Sequence, residues 1–318
     1  MGKQLTGLVI RTQSGFFTVQ TSQGPIICQL RGKLKKKYQE TDLVAIGDRV
    51  IVEKLPVQAD HVGGVIVHVE PRERVLSRVA PRSAVGTSAE REQVIIANPE
   101  QAIFVLSAAQ PAPRVRRLDR MLVAAEKAKI PHIGLCVNKM DLVADDPSAT
   151  YATFAIYERI GYPVLYVSAV AKEGIAALRE RLIGKISVFT GPSGVGKTSL
   201  LNIIEPGLGG RVNEVSHSTQ KGRHTTRYSE LIPLKEGGYV ADTPGIRSLA
   251  PWDVEPDELD GYFVEIARYV PTCKFPDCTH THEPGCAVRT AVERGEISST
   301  RYESYLRLRE MLEAEYVY

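Results

Sequence analysis

Short apolar runs separated by turn residues fill the first part of the chain. Five of them have the β-branched or alternating character of strands: TGLVIRT, FFTVQT, PIICQL, DRVIVEKL and GGVIVHVE. Helical periodicity is absent there, so the pattern predicts a small β-barrel that is either OB-like or SH3-like. Five strands favour the OB-like form, and we predict this domain over residues 1–72.

A different pattern begins at Val94, after a predicted linker over residues 73–92. Continuous apolar runs now end in polar or turn residues: VIIANPEQAIFVLSA, HIGLCVN, PVLYVSA, KISVFTG and GYVADTPG. Most alternate with helix-like segments such as RLDRMLVAAEKAK and GIAALRERLI. Strands buried on both faces with helices between them predict a doubly wound parallel α/β sheet over residues 93–249. Functional residues are expected at the carboxyl ends of its strands.

The last segment, residues 250–318, is predicted to be a mainly helical domain. DELDGYFVEIARYV and STRYESYLRLREMLEAEY both have the pattern of helices, and three cysteines crowd between them. The chain is therefore predicted to be multidomain, with a barrel, an α/β core and a helical C-terminal region.

Composition narrows the class of protein without identifying a partner. The chain is 43% hydrophobic and 24% charged, and its apolar runs fall short of the ~20 residues of a membrane span. The N-terminus has no secretory signal pattern, so we expect a cytoplasmic protein with no membrane association. A net charge of +3 does not indicate a nucleic-acid partner. The basic stretches Arg31–Lys37 and Arg72–Arg82 are either RNA contacts or solvated faces.

The stretch GPSGVGKTS matches the phosphate-loop pattern between a strand and a helix, as that motif requires. Its amides and the following helix N-terminus favour phosphate oxygens. Lys197 would approach the β and γ phosphates, and Thr198 would offer a hydroxyl to Mg²⁺. The candidate nucleotide-binding residues are Gly191, Pro192, Ser193, Gly194, Val195, Gly196, Lys197, Thr198 and Ser199.

A second motif, NKMD, indicates which base is bound. Asp141 can accept hydrogen bonds from guanine N1–H and the exocyclic amine, which adenine does not offer in that arrangement. Asn138 would orient the loop, and the stem of Lys139 would lie along the ring of the base. Met140 completes the predicted base-binding loop between Lys139 and Asp141. One strand later, YVSA offers the amides of Ser168 and Ala169 to guanine O6.

The residues nearest the γ-phosphate are predicted from the strand GYVADTPG and the polar segment before it. Asp242 would hold Mg²⁺ through water, and the amide of Gly245 would sense the γ-phosphate. Thr225 or Thr226 would complete the Mg²⁺ shell. The predicted catalytic set consists of Lys197, His224, Thr225, Thr226 and Gly245, whereas Asp242 is predicted as a magnesium ligand.

Ile246 follows DTPG, where many GTPases have a glutamine that orients the attacking water. An isoleucine cannot do this, so another group must, or intrinsic hydrolysis is slow. We predict that His224 positions the water, and a surface histidine without a role is the alternative.

The order of these motifs is a cyclic rearrangement of the usual one. Here the base loop and Ser-Ala precede the phosphate loop and both switches, whereas ordinary small GTPases begin with the phosphate loop. The whole chain resembles the family of circularly permuted GTPases called ribosome small-subunit-dependent GTPase A, on the permuted order, GRHTT, DTPG and the cysteine spacing. The resemblance implies an N-terminal OB-fold that binds RNA or the ribosome, a permuted GTPase core and a C-terminal zinc domain.

The cysteine cluster offers three thiolates and an imidazole within one turn-rich segment. Four such ligands suit tetrahedral Zn²⁺ with no open position, which predicts one structural zinc. Spacing alone leaves His282 as a rival ligand, and the resemblance selects His280. The predicted ligands are Cys273, Cys278, His280 and Cys286.

The resemblance also implies the biological role. It predicts GTP hydrolysis to GDP with Mg²⁺, late in maturation of the small (30S) ribosomal subunit, by a monomer that contacts 16S rRNA and is stimulated by the 30S particle. It implies no DNA partner. Two alternatives remain from the sequence: a GTP-regulated protein that binds free RNA, and a nucleotide-binding structural module with little turnover.

Overall fold

A computed structural model describes residues 4–32, 43–55, 62–79, 92–207, 229–242 and 254–316. Its N-terminal part is a five-stranded barrel with the strand order β1-β2-β3-β5-β4, closed by pairing of β4 with β1. All strands are antiparallel neighbours except β3 and β5, which run parallel. The strands are β1 Gln4–Gln13, β2 Phe16–Thr21, β3 Gly24–Leu30, β4 Arg49–Lys54 and β5 Gly64–Val69. The predicted five-stranded barrel is confirmed.

The barrel encloses a small apolar core, and it contains an ion pair whose carboxylate is fully buried. Asp48 is fully buried and accepts hydrogen bonds from Arg72 Nε at 2.8 Å and Nη2 at 2.9 Å. Its carboxylate also accepts the amide of Ala45 at 2.8 Å. A two-pronged Arg–carboxylate contact of this kind fixes geometry as well as charge. The core residues are Val9, Val19, Cys28, Leu30, Val44, Val50, Val52 and Ile66.

A separate antiparallel pair of strands joins the barrel to the core. Strands β6, Val75–Val79, and β7, Glu92–Ala97, form this pair, and β6 falls in the segment predicted as a linker. The contact with the barrel is close at Gly47, where a Cβ would lie 2.0 Å from the oxygen of Ala97. The sequence-based domain boundaries remain predictions.

The central sheet has five parallel strands in the order β10-β9-β8-β11-β13 and an antiparallel strand, β12, beside β13. The parallel strands correspond to the predicted apolar runs, although the first run divides into β7 and β8. Its strands are β8 Gln101–Ser107, β9 His132–Asn138, β10 Val164–Tyr166, β11 Ile186–Thr190, β12 Ser229–Pro233 and β13 Tyr239–Asp242.

Helices cover both faces of this sheet, as doubly wound topology requires. Phe104 and Leu106 of β8 point into the core beneath α1 and α2, while Ile103 and Val105 point into the core beneath α3 and α4. Because successive side chains of a strand alternate in direction, a continuous apolar run serves both cores. The helices are α1 Val115–Lys127, α2 Ser148–Ile160, α3 Ile175–Leu182 and α4 Lys197–Ile204.

The barrel and the central sheet share a strand pairing. Strand β1 pairs with β12 antiparallel, with Arg11 opposite Glu230 and Thr12 opposite Ser229. The barrel strands and the strands of the core thus form one eleven-stranded sheet.

The C-terminal region contains short helical pieces followed by one long helix. A single helix was predicted over DELDGYFVEIARYV, and this is wrong because Phe263 adopts an extended conformation that interrupts it. The break places the Phe263 side chain in the core of this region, where it is fully buried. The elements are 3₁₀ turns at Pro256–Tyr262 and Val270–Thr272, α5 Val264–Ala267, α6 Ala287–Glu293 and α7 Ser299–Tyr316.

A buried charged network joins this region to the core. Arg301 of α7 is 1% exposed and donates to Asp119 of α1 at 2.6 Å and to Glu265 of α5 at 2.6 and 3.1 Å. Burial opposes the charged form of Arg301, but the two carboxylates outweigh it and raise its pKa. The hydroxyl of Tyr157 also donates to Asp119, at 2.7 Å. None of the helices in the described ranges has the length and apolar content of a membrane span.

Candidate nucleotide site and cysteine cluster

The phosphate loop leaves the carboxyl end of β11 and leads into α4. Gly191 has no room for a side chain, because a Cβ there would lie 2.0 Å from the oxygen of Val105. Gly194 and Gly196 have φ values of 82° and 90°, in the left-handed region that favours glycine. The glycine pattern of the motif therefore corresponds to real steric demands in the fold.

Lys197 is the first residue of α4, and its ammonium lies over the loop. Its Nζ donates to the carbonyl oxygens of Gly191 at 2.7 Å and Pro192 at 2.6 Å. The side chain thus folds back across the turn that the motif reserves for phosphate. Thr198 follows it in the first turn of α4, and Ser199 is exposed.

Asn138 joins the base loop to the phosphate loop. It ends β9, is 1% exposed, and donates from Nδ2 to the carbonyl oxygen of Val195 at 2.9 Å. Its Oδ1 accepts the amide of Ala169 at 3.1 Å. One buried amide side chain therefore holds together the three loops that follow β9, β10 and β11. A Cβ at Gly196 would approach Nδ2 to 2.3 Å, so the glycine is also required for this contact.

Asp141 is oriented by Ser168. The hydroxyl of Ser168, fully buried, donates to Asp141 Oδ1 at 2.5 Å and accepts the amide of Ala171 at 2.9 Å. The amide of Met140 donates to Val167 at 3.2 Å, which fixes the loop against β10. The carboxylate of Asp141 is thereby held at the loop that follows β10.

One wall of the site was not identified from sequence. The segment after β8 curls back, with the hydroxyl of Ser107 donating to the carbonyl of Pro111 at 2.6 Å. Lys139, at φ 65°, donates from Nζ to the carbonyl of Gln110. A Cβ at Gly194 would lie 3.7 Å from Pro111. The sequence Gln-Pro-Ala-Pro directly after a buried strand could have indicated this turn.

The γ-phosphate side of the site is only partly described. Asp242 ends β13, which pairs parallel with β11, so its backbone lies at the same sheet edge as the phosphate loop. The other predicted catalytic residues lie outside the described residues: His224, Thr225, Thr226 and Gly245.

The four predicted metal ligands converge. The ligand atoms of Cys273, Cys278, His280 and Cys286 lie within 4.8 Å of one another. His280 directs Nδ1 at the sulfurs of Cys286, 3.4 Å away, and Cys273, 3.6 Å away. His282 is exposed and contacts Thr281 instead. Geometry therefore agrees with His280 as the fourth member.

Groups outside the cluster hold it in place. Asp260 Oδ2 lies 3.1 Å from His280 Nε2, so this carboxylate orients the ring with Nδ1 toward the sulfurs. Tyr302 of α7 donates to the carbonyl of His280 at 2.6 Å. Glu283 accepts amide hydrogen bonds from Thr279, Thr281 and His282, and these bonds shape the loop.

The thiols need a cation to be ionised together. Burial and the adjacent thiols of Cys286 and Cys273 raise the pKa of Cys278 to about 12. Three sulfur donors and one nitrogen donor fit Zn²⁺ by their chemistry, with no position left open. Nothing in the sequence near Asp260 marked it as a partner of His280, since 20 residues separate them.

Two family models match the chain. The model described as RsgA GTPase matches residues 69–252, and the model described as RsgA N-terminal domain matches residues 6–63. Among curated relatives, the small ribosomal subunit biogenesis GTPase RsgA of Gemmatimonas aurantiaca is 41% identical over 98% of this chain and 99% of its own length. The protein of that name from Chlorobaculum parvum is 39% identical over 98% of this chain and all of its own.

Solved structures agree in fold. The crystal structure of YjeQ from Thermotoga maritima superposes with a TM-score of 0.76 at 35% identity, covering 98% of this chain and 99% of that one. The structure of YloQ, described as a circularly permuted GTPase, gives a TM-score of 0.73 at 30% identity, covering 98% and 96%.

Proposed function

The chain belongs to the RsgA GTPase family, and from that premise we propose that it hydrolyses GTP during maturation of the small ribosomal subunit. The family model covers more than half of the chain, and the relatives align with nearly its full length. The name of these relatives supports a role in biogenesis of the small ribosomal subunit, and the residues of this chain support GTP binding and hydrolysis.

The hydrogen bond from the Asn138 side chain to the carbonyl oxygen of Val195 is the observation that carries the proposal. It joins loops that are 57 residues apart in the chain and reversed in order relative to ordinary GTPases. A base-reading loop and a phosphate loop in contact define a single nucleotide site. This contact supports the assignment of both motifs to one site.

Asp141 is the residue we assign to guanine recognition. The hydroxyl of Ser168 holds Oδ1 of Asp141 in place. Because the carboxylate is rigid and planar, this contact also restricts the position of Oδ2. Hydrogen bonds to a charged group are worth about 1.5–3 kcal/mol each, so a base that offers no donors to Asp141 is strongly disfavoured. The amide of Ala169 already donates to Asn138, so Ala169 contributes by bracing the loop.

The glycine-rich turn and Lys197 are assigned to the phosphates. Gly194 and Gly196 have the positive φ values that the turn needs, Gly191 packs directly against Val105, and Lys197 lies across the turn. Bound GTP would offer phosphate oxygens to this ammonium in place of the two carbonyl oxygens. Mg²⁺, when bound, neutralises phosphate charge, and Thr198 and Asp242 are the residues we assign to hold it.

Hydrolysis requires a group that orients water, because Ile246 cannot. We assign this role to His224, with Thr225 or Thr226 completing the Mg²⁺ shell and the Gly245 amide facing the γ-phosphate. The support is their position in the sequence beside GRHTT and DTPG. Turnover of His224→Ala with saturating 30S particles tests it, and an unchanged rate removes His224 from the mechanism.

The cysteine cluster is assigned to one structural zinc. Its geometry, the orienting carboxylate of Asp260 and the position of Tyr302 support this assignment. Bound Zn²⁺ would supply cross-linking of the loop, with Cys273, Cys278, His280 and Cys286 as its ligands.

The proposed partner is the small ribosomal subunit, through 16S rRNA, with the chain acting as a monomer in the cytoplasm. Phosphate release measured with 30S particles, 50S particles, naked rRNA or no addition tests the function. We expect stimulation by 30S particles alone. Equal stimulation by naked rRNA would favour an RNA-binding protein that acts on free RNA, and no GTP turnover under any condition would contradict the proposal.

A further inference from the structure

A row of directly opposite residues crosses from the nucleotide sheet into the barrel. Asp242 of β13 is the register partner of Glu230 in β12, and Glu230 is the partner of Arg11 in β1. Arg11 is in turn opposite Thr18 of β2. The barrel is thus two strands away from the residue assigned to Mg²⁺.

Strand β12 is firmly held between its neighbours. Leu231 is fully buried in one core of the sheet and Ile232 is 1% exposed in the other. The strand begins three residues after Thr226 in the sequence. Its position is consequently set on one side by β13 and on the other by β1 of the barrel.

The row contains two acidic residues, and its one basic residue comes from the barrel. Asp242 and Glu230 are acidic residues at opposite positions, and Arg11 is the basic residue on the far side of Glu230. Directly opposite like charges destabilise a strand pair, whereas opposite charges stabilise it. The pairing of β12 with its two neighbours is therefore sensitive to the charge at position 11.

We propose that β1 of the barrel is a positioning strand for GTP hydrolysis, with Arg11 as the positioning residue that holds β12 and hence the magnesium end of β13. This rests on the proposed function, which assigns Asp242 to Mg²⁺. Because coupling between two sites is reciprocal, a partner that binds the barrel changes metal-dependent turnover, and the nucleotide changes the affinity for that partner.

Charge variants of Arg11 test the proposal in the full-length protein. Arg11→Glu is expected to raise the Mg²⁺ concentration for half-maximal GTP hydrolysis about three- to fivefold, while Arg11→Lys stays within about twofold of the unchanged chain. The matched control is Arg49→Glu, an exposed arginine of β4 that pairs with β1 away from β12. A purely structural role would lower the melting temperature without changing the Mg²⁺ dependence. Equal Mg²⁺ dependence of Arg11→Glu and Arg49→Glu would overturn the proposal.

Amide exchange of the unchanged chain gives a second measurement, which does not depend on a variant that folds. With Mg²⁺ present, replacing GDP by a non-hydrolysable GTP analogue is expected to slow exchange of the amides at Arg11 and Thr12 about threefold or more. Identical exchange along β1, in a sample that binds both nucleotides, would overturn the coupling. Absence of GTP binding and turnover would instead overturn the proposed function, and with it the assignment of Asp242.

Discussion

The nucleotide site and the cysteine cluster are assembled in opposite ways. The cluster takes its four members from one loop between Cys273 and Cys286. The nucleotide site takes its groups from loops after separate strands, and Asn138 and Val195 meet across 57 residues. Spacing along the chain is enough to indicate the first arrangement, whereas the second exists only because parallel strands bring their carboxyl ends to one edge.

The two arrangements should also fail differently. The cysteine loop is shaped by its own hydrogen bonds, such as those of Glu283, so damage there should remain local. The nucleotide loops depend on one another through Asn138. A substitution in one of these loops should therefore also change the structure of the others.

Removal of a metal ligand should have the largest effect. His280→Ala is expected to abolish zinc retention and unfold the cysteine loop, because structural zinc contributes on the order of 10 kcal/mol. GTP binding should survive, since the nucleotide loops follow strands of the central sheet whereas the four ligands lie in the C-terminal region. Metal analysis and calorimetry measure these outcomes. His282→Ala is the control and should keep its zinc; equal loss in both variants would contradict the ligand assignment.

Arg301→Met tests how strongly the C-terminal region and the α/β core stabilise each other. The change leaves Asp119 and Glu265 buried without their cation, and breaking such a pair costs about 3–5 kcal/mol. Denaturant unfolding should show this loss, while Arg307→Met, an exposed arginine on α7, should change stability by no more than about 0.5 kcal/mol. Similar stability of the two variants would mean that the network does not join the regions.

Asp141→Ala should change base selectivity. Loss of two charge-assisted hydrogen bonds to guanine is expected to weaken GTP binding about 100-fold or more and leave the weak binding of ATP unchanged. Calorimetry with both nucleotides measures this. Asp145→Ala, an exposed carboxylate in the next turn, should bind GTP normally. Retained preference for GTP in Asp141→Ala would place base recognition elsewhere.

Asn138→Ala should have the smallest effect on stability, but the effect should extend to loops that are far apart in the sequence. It removes the donor to Val195 and the acceptor for Ala169, and leaving buried groups unpaired costs about 1–3 kcal/mol. Amide exchange should therefore accelerate in the phosphate loop as well as after β10. Acceleration confined to residues next to position 138 would show that the loops are independent.

The sequence predicted the elements that depend on local pattern. The five barrel strands and the parallel strands ending at Asn138 and Thr190 agree with the structure, and the predicted cysteine and histidine ligands lie close together, although their role as ligands stays a prediction. Each rests on alternation, a buried run or a fixed spacing. Each of these signals is contained in a short stretch of the chain.

Features that depend on distant partners were not predicted. The helical pattern around Phe263 is interrupted at that residue, which is extended and whose ring packs against distant residues of the C-terminal core. Strand β6, the pairing of β12 with β1, and the contact of Asp260 with His280 each depend on residues far along the chain. Periodicity carries no information about which partner a strand or carboxylate will find.

The order of strands in the central sheet has a consequence for biosynthesis. Strands β8, β9 and β10 leave the ribosome before β11 and β13, although β11 lies between β8 and β13 in the finished sheet. A nascent chain therefore leaves one backbone edge of β8 unpaired until β11 has been translated. The loops assigned to guanine emerge first, and the centre of the sheet is completed by addition of β11 at that open edge.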